Sequence, residues 1–432
     1  MQTRFDALII GAGPAGSSAA ILLATAGWSV ALIEKQSFPR RKVCGECVAA
    51  SNLPLLDALG IGGAVADQAG PELKRVAMMR GAHSVWADLP PAADVRHRWG
   101  RAIGRETLDT LLLARARAAG ATVLQPWAVQ KLSGWAGDHH CTVREEAGGQ
   151  LKILQAPVAI LAHGSWEPLP VERAMLRNAR SGSDLLAFKA NFSGAHLAAG
   201  LLPVLAFEGG YGGMVLAEGD LVTLACCVRA DRLDALRRAA PGQAAGEVVE
   251  AMLKRQCHGV AEALDGAVRC GPWLASGPLR PGVRIRDDDQ VFRVGNAAGE
   301  AHPIIGEGMS MALQSAWLLS THLGAARPGR GVAAQAHWQR DVRQRYAAEW
   351  RQHFAPRLRM AAVLANLAMR PAGAAVLMAT LTRFPQLLTR GAVWSGKVRD
   401  LSGGAILAQA LARRHQTPAL QALSTPSPGE RP

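Results

Sequence analysis

No apolar run in this 432-residue chain reaches the roughly 18–20 residues needed to span a bilayer. The nearest candidates, Met360–Met369 and Ala372–Leu381, are divided by Arg370-Pro371, so neither crosses alone. The first residues lack the basic, apolar and small-residue succession of a secretory signal and enter a strand-like run by about residue 6. Seven cysteines, an odd number, then point to thiols rather than a disulfide framework. A cytoplasmic, reducing location is the expectation. Cys44 and Cys47 form a CxxC, but no second ligand pair has zinc spacing, so no metal is expected. Acidic residues are outnumbered, 34 Asp and Glu against 48 Lys and Arg, a net charge of +14. The excess is mostly Arg spread along helices. No aromatic-interleaved basic stretch accompanies it, which excludes nucleic acid as the expected partner. There is no internal repeat and no second dinucleotide fingerprint, and only two tyrosines occur.

Apolar residues make up 49% of the chain and charged residues 19%, enough for a packed core in two or three units. Asp6-Ala-Leu-Ile-Ile10 reads as a short strand and runs into Gly11-Ala-Gly-Pro-Ala-Gly16. A helix follows to Ala26, stopped by Gly27, and Ser29–Ile33 is a second strand ending at Glu34. Strand, tight turn, helix and strand within about 34 residues is the length of a βαβ unit. In that context the GxGxxG is specific for a dinucleotide. Gly11 permits the turn, Gly13 admits a pyrophosphate, and Gly16 lets helix and strand pack closely. The helix start at Pro14 and Ala15 offers free N–H groups to phosphate. Glu34, beside Lys35, can accept ribose hydroxyls and would repel a 2′-phosphate.

Two distant segments separate FAD from NAD. Val294-Gly-Asn-Ala-Ala-Gly299, then Pro303-Ile-Ile-Gly-Glu-Gly308, resembles the second FAD motif of the para-hydroxybenzoate hydroxylase-like flavoproteins. That superfamily includes aromatic monooxygenases, flavin-dependent halogenases and geranylgeranyl reductases. The resemblance implies that Gly295 and Asn296 meet the ribityl chain. It also implies that a helix N-terminus built from Pro303, Gly306, Glu307, Gly308 and Met309 faces the flavin pyrimidine ring. Asn296 departs from the usual Asp and carries no charge, which would shift the flavin potential upward. Pro39-Arg-Arg-Lys-Val-Cys44-Gly-Glu46-Cys47 resembles the Lys-x-Cys-Gly-Glu segment of geranylgeranyl reductase-like members, in which the cysteine lies close to the isoalloxazine. Arg41 and Gly45 join the expected cofactor contacts. Cys44 reads either as a thiol beside the flavin or as a small loop residue packed on it. Arg105 matches the superfamily's Arg-x-x-Leu-Asp helix start, whose arginine contacts the cofactor, and Val129 falls where a main-chain contact to adenine is usual.

The fold implied is α/β (α+β): a Rossmann-type FAD-binding domain with an inserted antiparallel-sheet substrate domain and a helical C-terminal region. Residues 1–75, 100–167 and 281–328 form the first, 76–99 and 168–280 the second and 329–415 the third. A disordered tail, rich in Pro and Ser, occupies 416–432. The halogenase Trp-x-Trp-x-Ile-Pro segment is missing, and only Tyr211 of Gly209-Gly-Tyr-Gly-Gly213 matches the reductases' aromatic motif. Tyr211 either faces flavin or substrate or anchors a turn. His163 and His302 flank cofactor segments, each an acid–base candidate or a structural histidine. The expected catalytic set is Cys44, Tyr211 and His302. The apolar, Arg-rich helices Phe354–Met369, Pro371–Phe384 and Leu387–Val398 read as a cap over the substrate or as an interfacial membrane element. The expected activity is FAD-dependent oxidoreduction of a hydrophobic polyketide, isoprenoid or aromatic molecule, with geranylgeranyl reductase-like C=C reduction preferred. Alternatives are a monooxygenase using O₂ and NAD(P)H, and a flavin-binding membrane-associated protein without turnover. NADH or NADPH is the expected transient donor, or a separate reductase supplies electrons.

Overall fold

The computed structural model describes residues 3–165, 181–325 and 331–394. The expected tail at 416–432 and the last residues of the expected final helix lie outside the described residues. A five-stranded parallel sheet runs in the order Phe292–Arg293, Val158–Leu161, Ala7–Ile10, Val30–Ile33, Thr122–Leu124. Three of its strands read ALII, VALI and VAIL and are buried throughout, as a sheet covered on both faces requires. Side chains alternate along each strand. Ala7 and Ile9 therefore pack with the helices Pro14–Thr25, Arg105–Ala118 and Gly308–Gly324. Leu8 and Ile10 pack instead with Trp127, Cys141, Val143 and Leu154 of a three-stranded antiparallel sheet.

Two prolines divide what would otherwise be continuous strands. Leu151–Leu161 is not one strand: Leu151–Ala156 belongs to the antiparallel sheet and Val158–Leu161 to the parallel one. Pro157, which has no N–H to donate to a ladder, lies between them. Likewise Pro126 divides Thr122–Leu124 from Trp127–Trp135. In the inserted region only Gly209, at φ +74°, belongs to a turn; the glycines after it do not. Gly210–Leu216 is a strand inside an eight-stranded sheet, hydrogen-bonded to Val222–Arg229 and Leu201–Phe207. Its glycines serve close packing rather than reversal: a Cβ on Gly210 would lie 2.2 Å from the Phe207 ring.

One face of this sheet is covered by helices Ala230–Ala239, Ala245–Gln256 and His258–Ala263, which bury Phe188, Leu224 and Cys226. The opposite face, carrying Ala187, Tyr211 and Cys227, turns toward the parallel-sheet domain. The helical C-terminal region opens with one helix of 38 residues, Val332–Met369. Its Val342, Tyr346, Trp350 and Phe354 complete the core beneath the parallel sheet, while Ala365 and Ala368 pack near Tyr211. The chain then bends by 105° into Pro371–Arg383, followed by Gln386–Trp394. Among the described residues no single helix is long and apolar enough to cross a membrane.

Candidate functional site: an elongated cofactor and substrate cavity

The glycine turn is shaped by contact on one side and by space on the other. Gly11 has φ +101°, and a Cβ there would lie 2.6 Å from the Ala162 carbonyl oxygen. A Cβ on Gly16 would lie 1.8 Å from the Gly11 oxygen. Gly13 differs: its missing Cβ points at open cavity, with only Arg105 Nη2 at 3.6 Å and Arg40 Nη2 at 3.9 Å. No side chain caps the helix at Gly13, so its first-turn N–H groups face a ligand position flanked by two guanidiniums. Glu34, 3% exposed, accepts from the N–H of Ala12 and of Gln36, both at 2.9 Å, which fixes the carboxylate at the end of its strand.

A cavity of about 990 Å³ begins here. One end is walled by Glu34, Lys35, Trp127, Val129 and Gln130. It passes Gly11, Gly13, Pro14, Ala15 and Arg105, then Cys44 and Gly45, then Gly295, Asn296, Pro303, Gly306, Gly308 and Met309. The far end is apolar, walled by Val76, Met78, Tyr211, Leu364, Leu381 and Leu388. Four expected site residues stand off this wall. Gly16 is used in helix–strand packing. Arg41 turns outward to the Pro272 carbonyl and Glu106, and Arg40 takes the inward position. The Glu307 side chain pairs with Arg357 at 3.4 Å. His302 lies behind Tyr211.

The Cys44–Cys47 segment is held by residues the sequence reading gave no role. Glu46 has φ +58° and is 1% exposed. Its carboxylate takes an ion pair from Lys189, a hydrogen bond from the Thr223 hydroxyl at 2.5 Å and one from the Arg105 N–H at 3.2 Å. Lys189 and Thr223 project from the inserted sheet, so this pair ties the two domains together beside the cavity. A lone lysine inside the apolar run Leu185–Phe192 was the available signal. The Cys44 sulfur accepts the Glu46 N–H at 3.4 Å and contacts the Arg105 guanidinium. Arg105 also makes two 2.7 Å bonds to Asp109. Burial alone would lower the Arg105 pKa, but Asp109, with Cys44 adding to it, raises it above its ordinary value. Cys44 and Cys47 are both free thiols.

At the second cofactor segment, Asn296 Nδ2 donates to Ser165 Oγ at 2.8 Å, and Ser165 donates to Glu300 at 2.7 Å. Glu300, 2% exposed, is further held by Arg284 at 2.7 Å. The Asn296 amide oxygen remains an acceptor on the cavity wall. The helix starts at Gly308 rather than Gly306. Gly306, at φ +64°, ends a short turn and spends its N–H on the Pro303 carbonyl at 2.8 Å. The open N–H groups of the helix start are therefore those of Gly308 and Met309, and a Cβ on Gly308 would meet nothing within 4 Å.

Residues 4–186 match the FAD binding domain family. Over this match, which takes in the Gly11–Gly16 turn, Glu34 and Arg105, the chain is similar to FAD-dependent oxidoreductases. It is 26% identical over 78% of its length to conditioned medium factor receptor 1 of Dictyostelium discoideum, covering 66% of that protein. It is 34% identical over 119 residues, 28% of each chain, to the menaquinone reductase of Mycobacterium tuberculosis. The chain thus spans less than two thirds of the length of these curated relatives. Its fold is similar to that of the myxobacterial chondrochloren halogenase, with TM-score 0.68, 19% identity and 82% of each chain covered.

The wall fits FAD. Gly13, Gly45 and Gly308 leave Cβ-sized space along one continuous groove, Arg40 and Arg105 stand over the phosphate turn, and Glu34 lies where a ribose would follow. Beyond the flavin end, Tyr211 Oη and His302 Nδ1 lie 3.1 Å apart. Burial raises the Tyr211 pKa well above 10, with Cys227 and Glu300 adding to it. Burial lowers that of His302 below 6.5. Both side chains are therefore neutral at pH 7. The Cys227 thiol, pushed up to about 12 by burial, is hydrogen-bonded to the same Tyr211 hydroxyl.

Proposed function

We propose that this FAD-dependent oxidoreductase reduces a carbon–carbon double bond in an elongated apolar substrate. The observation that carries the reading is the Tyr211–His302 pair at the apolar end of the cavity. Bound FAD, once reduced, supplies a hydride equivalent to one carbon of the double bond. The other carbon then needs a proton. Tyr211 holds one at Oη, and burial keeps it there through neutral pH. His302 Nδ1, neutral and 3.1 Å away, stabilises the developing phenolate by returning a proton from the solvent side. Val76, Met78, Leu364 and Leu381 exclude water from the reacting end and accept only apolar groups. A menaquinone reductase among the relatives supports a reductive role on a lipid-like molecule.

Electrons come from NADH, NADPH or a separate reductase. The test is anaerobic reduction of the FAD-loaded protein by each nicotinamide, then addition of isoprenoid and polyketide alkenes. Slow reoxidation in air and a product heavier by two hydrogens are expected. Fast reoxidation by O₂ with a product heavier by one oxygen would replace this reading with a monooxygenase. Tyr211→Phe is expected to slow substrate reduction at least about 100-fold, the usual range of general acid catalysis, and leave flavin reduction by the donor unchanged.

A further inference from the structure

The helices that close the apolar end of the cavity carry an asymmetry that redox chemistry does not use. Between Glu349 and Asp400 the sequence has no acidic residue. Arg351 and Arg357 in this span are paired with Asp287 and Glu307, whereas Arg359, Arg370, Arg383 and Arg390 are exposed. Among the described residues 13 large apolar side chains are exposed, and five of them fall within these 25 residues: Val363 (59%), Leu367 (39%), Val376 (67%), Phe384 (46%) and Leu387 (38%). Exposed apolar side chains with cationic neighbours and no anion of their own make the composition of an interfacial helix; the exposed Asp88 and Glu208 of the inserted sheet border it.

The inner sides of the same helices form the cavity wall through Leu364, Leu377, Thr380, Leu381 and Leu388. Leu387 belongs to both surfaces, since it lines the cavity and is also exposed. It marks an opening of the cavity between helices Pro371–Arg383 and Gln386–Trp394. The 105° bend at Arg370-Pro371 prevents the preceding helix and its successor from forming one straight rod.

We propose that this helical layer docks peripherally on an anionic phospholipid surface. The substrate then passes from the bilayer through the Leu387 opening without crossing water. The Arg set selects the partner: anionic headgroups attract each arginine near the surface, while the apolar side chains gain by leaving water. The route for substrate rests on the proposed reduction of an apolar alkene; the docking itself does not.

The experiment is co-sedimentation of the FAD-loaded full chain with phosphatidylcholine vesicles, with and without phosphatidylglycerol. Binding is expected on the anionic vesicles only, and weakening as ionic strength rises. The pair Val376→Glu/Phe384→Glu and the pair Arg383→Glu/Arg390→Glu are each expected to reduce partitioning about tenfold or more, with the flavin spectrum unchanged. None of these four residues lines the cavity. No binding to anionic vesicles overturns the proposal, as does wild-type binding by both pairs. Concentration-dependent self-association that both pairs abolish also overturns it, because the face would then meet a second copy of the chain. Vesicle binding without any alkene reduction would refute the proposed reaction and leave the docking standing.

Discussion

Glu46 and Lys189 form an ion pair with side chains 1% and 2% exposed, although they come from different domains and lie 143 residues apart. A buried carboxylate that loses its cation keeps its desolvation cost. Lys189→Met is therefore expected to lower stability by about 3–5 kcal/mol. Adding Glu46→Gln should restore part of that loss, because the amide needs no counter-charge. Denaturant unfolding of the two variants checks this, and an equally unstable double variant would contradict it.

Gly13 and Gly16 should fail differently when given a methyl group. Gly16→Ala forces a Cβ to within 1.8 Å of the Gly11 backbone oxygen, so the strand and helix must separate and the protein should unfold at lower temperature. Gly13→Ala meets no atom nearer than 3.6 Å and should melt normally without cofactor. Its methyl occupies the phosphate approach, and FAD affinity should fall about 10- to 100-fold, the cost of one or two charge-assisted hydrogen bonds. FAD content and apoprotein melting, measured together, separate the two outcomes.

Asn296→Asp adds a negative charge on the flavin side of the Ser165–Glu300 chain. Reduced flavin is the more negative form, so the substitution should lower its two-electron potential. A destabilisation of about 1.4 kcal/mol corresponds to about 30 mV, the scale expected here. Equilibration with redox dyes measures the shift, and a rise in potential would contradict the assignment of Asn296 to the flavin.

Stability should fall in acid through His139. Burial, with the Arg343 charge adding to it, holds its pKa down at about 4. The folded value lies below the unfolded one, so the unfolded chain takes up the extra proton. Stability from this group is complete above about pH 6.5 and declines as pH falls toward 4, by about 3 kcal/mol in total. His139→Gln should flatten that part of the stability profile. An unchanged slope between pH 6.5 and 4 would show that another group controls it.

The parts of this molecule that a reader of the sequence can find are those written in neighbouring residues. Gly11 to Gly16 with Glu34, and Asn296 to Gly308, encode backbone shape over a few positions, and those positions meet along one groove. The Glu46–Lys189 pair and the Tyr211–His302 contact, the latter 91 residues apart, depend on how the inserted sheet is laid against the parallel one. No local spacing carries that information. Gly210 and Gly212 mislead for a different reason. A glycine placed for close packing inside a sheet looks the same in sequence as one placed for a reversal. Arg40 and Arg41 differ only in the direction their shared loop gives them.

The helix Val332–Met369 gives the molecule its mechanical unity. One end is a structural beam under the parallel sheet and the other is part of the roof over the apolar end of the cavity. Exchange of the roof for that of a relative is consequently not a cassette swap. A graft that starts at or before Trp350 also removes Trp350 and Phe354 from the core beneath the parallel sheet, and one that starts before Ala361 still removes Ala361 from it, so specificity engineering must splice near Arg370-Pro371, where the beam ends.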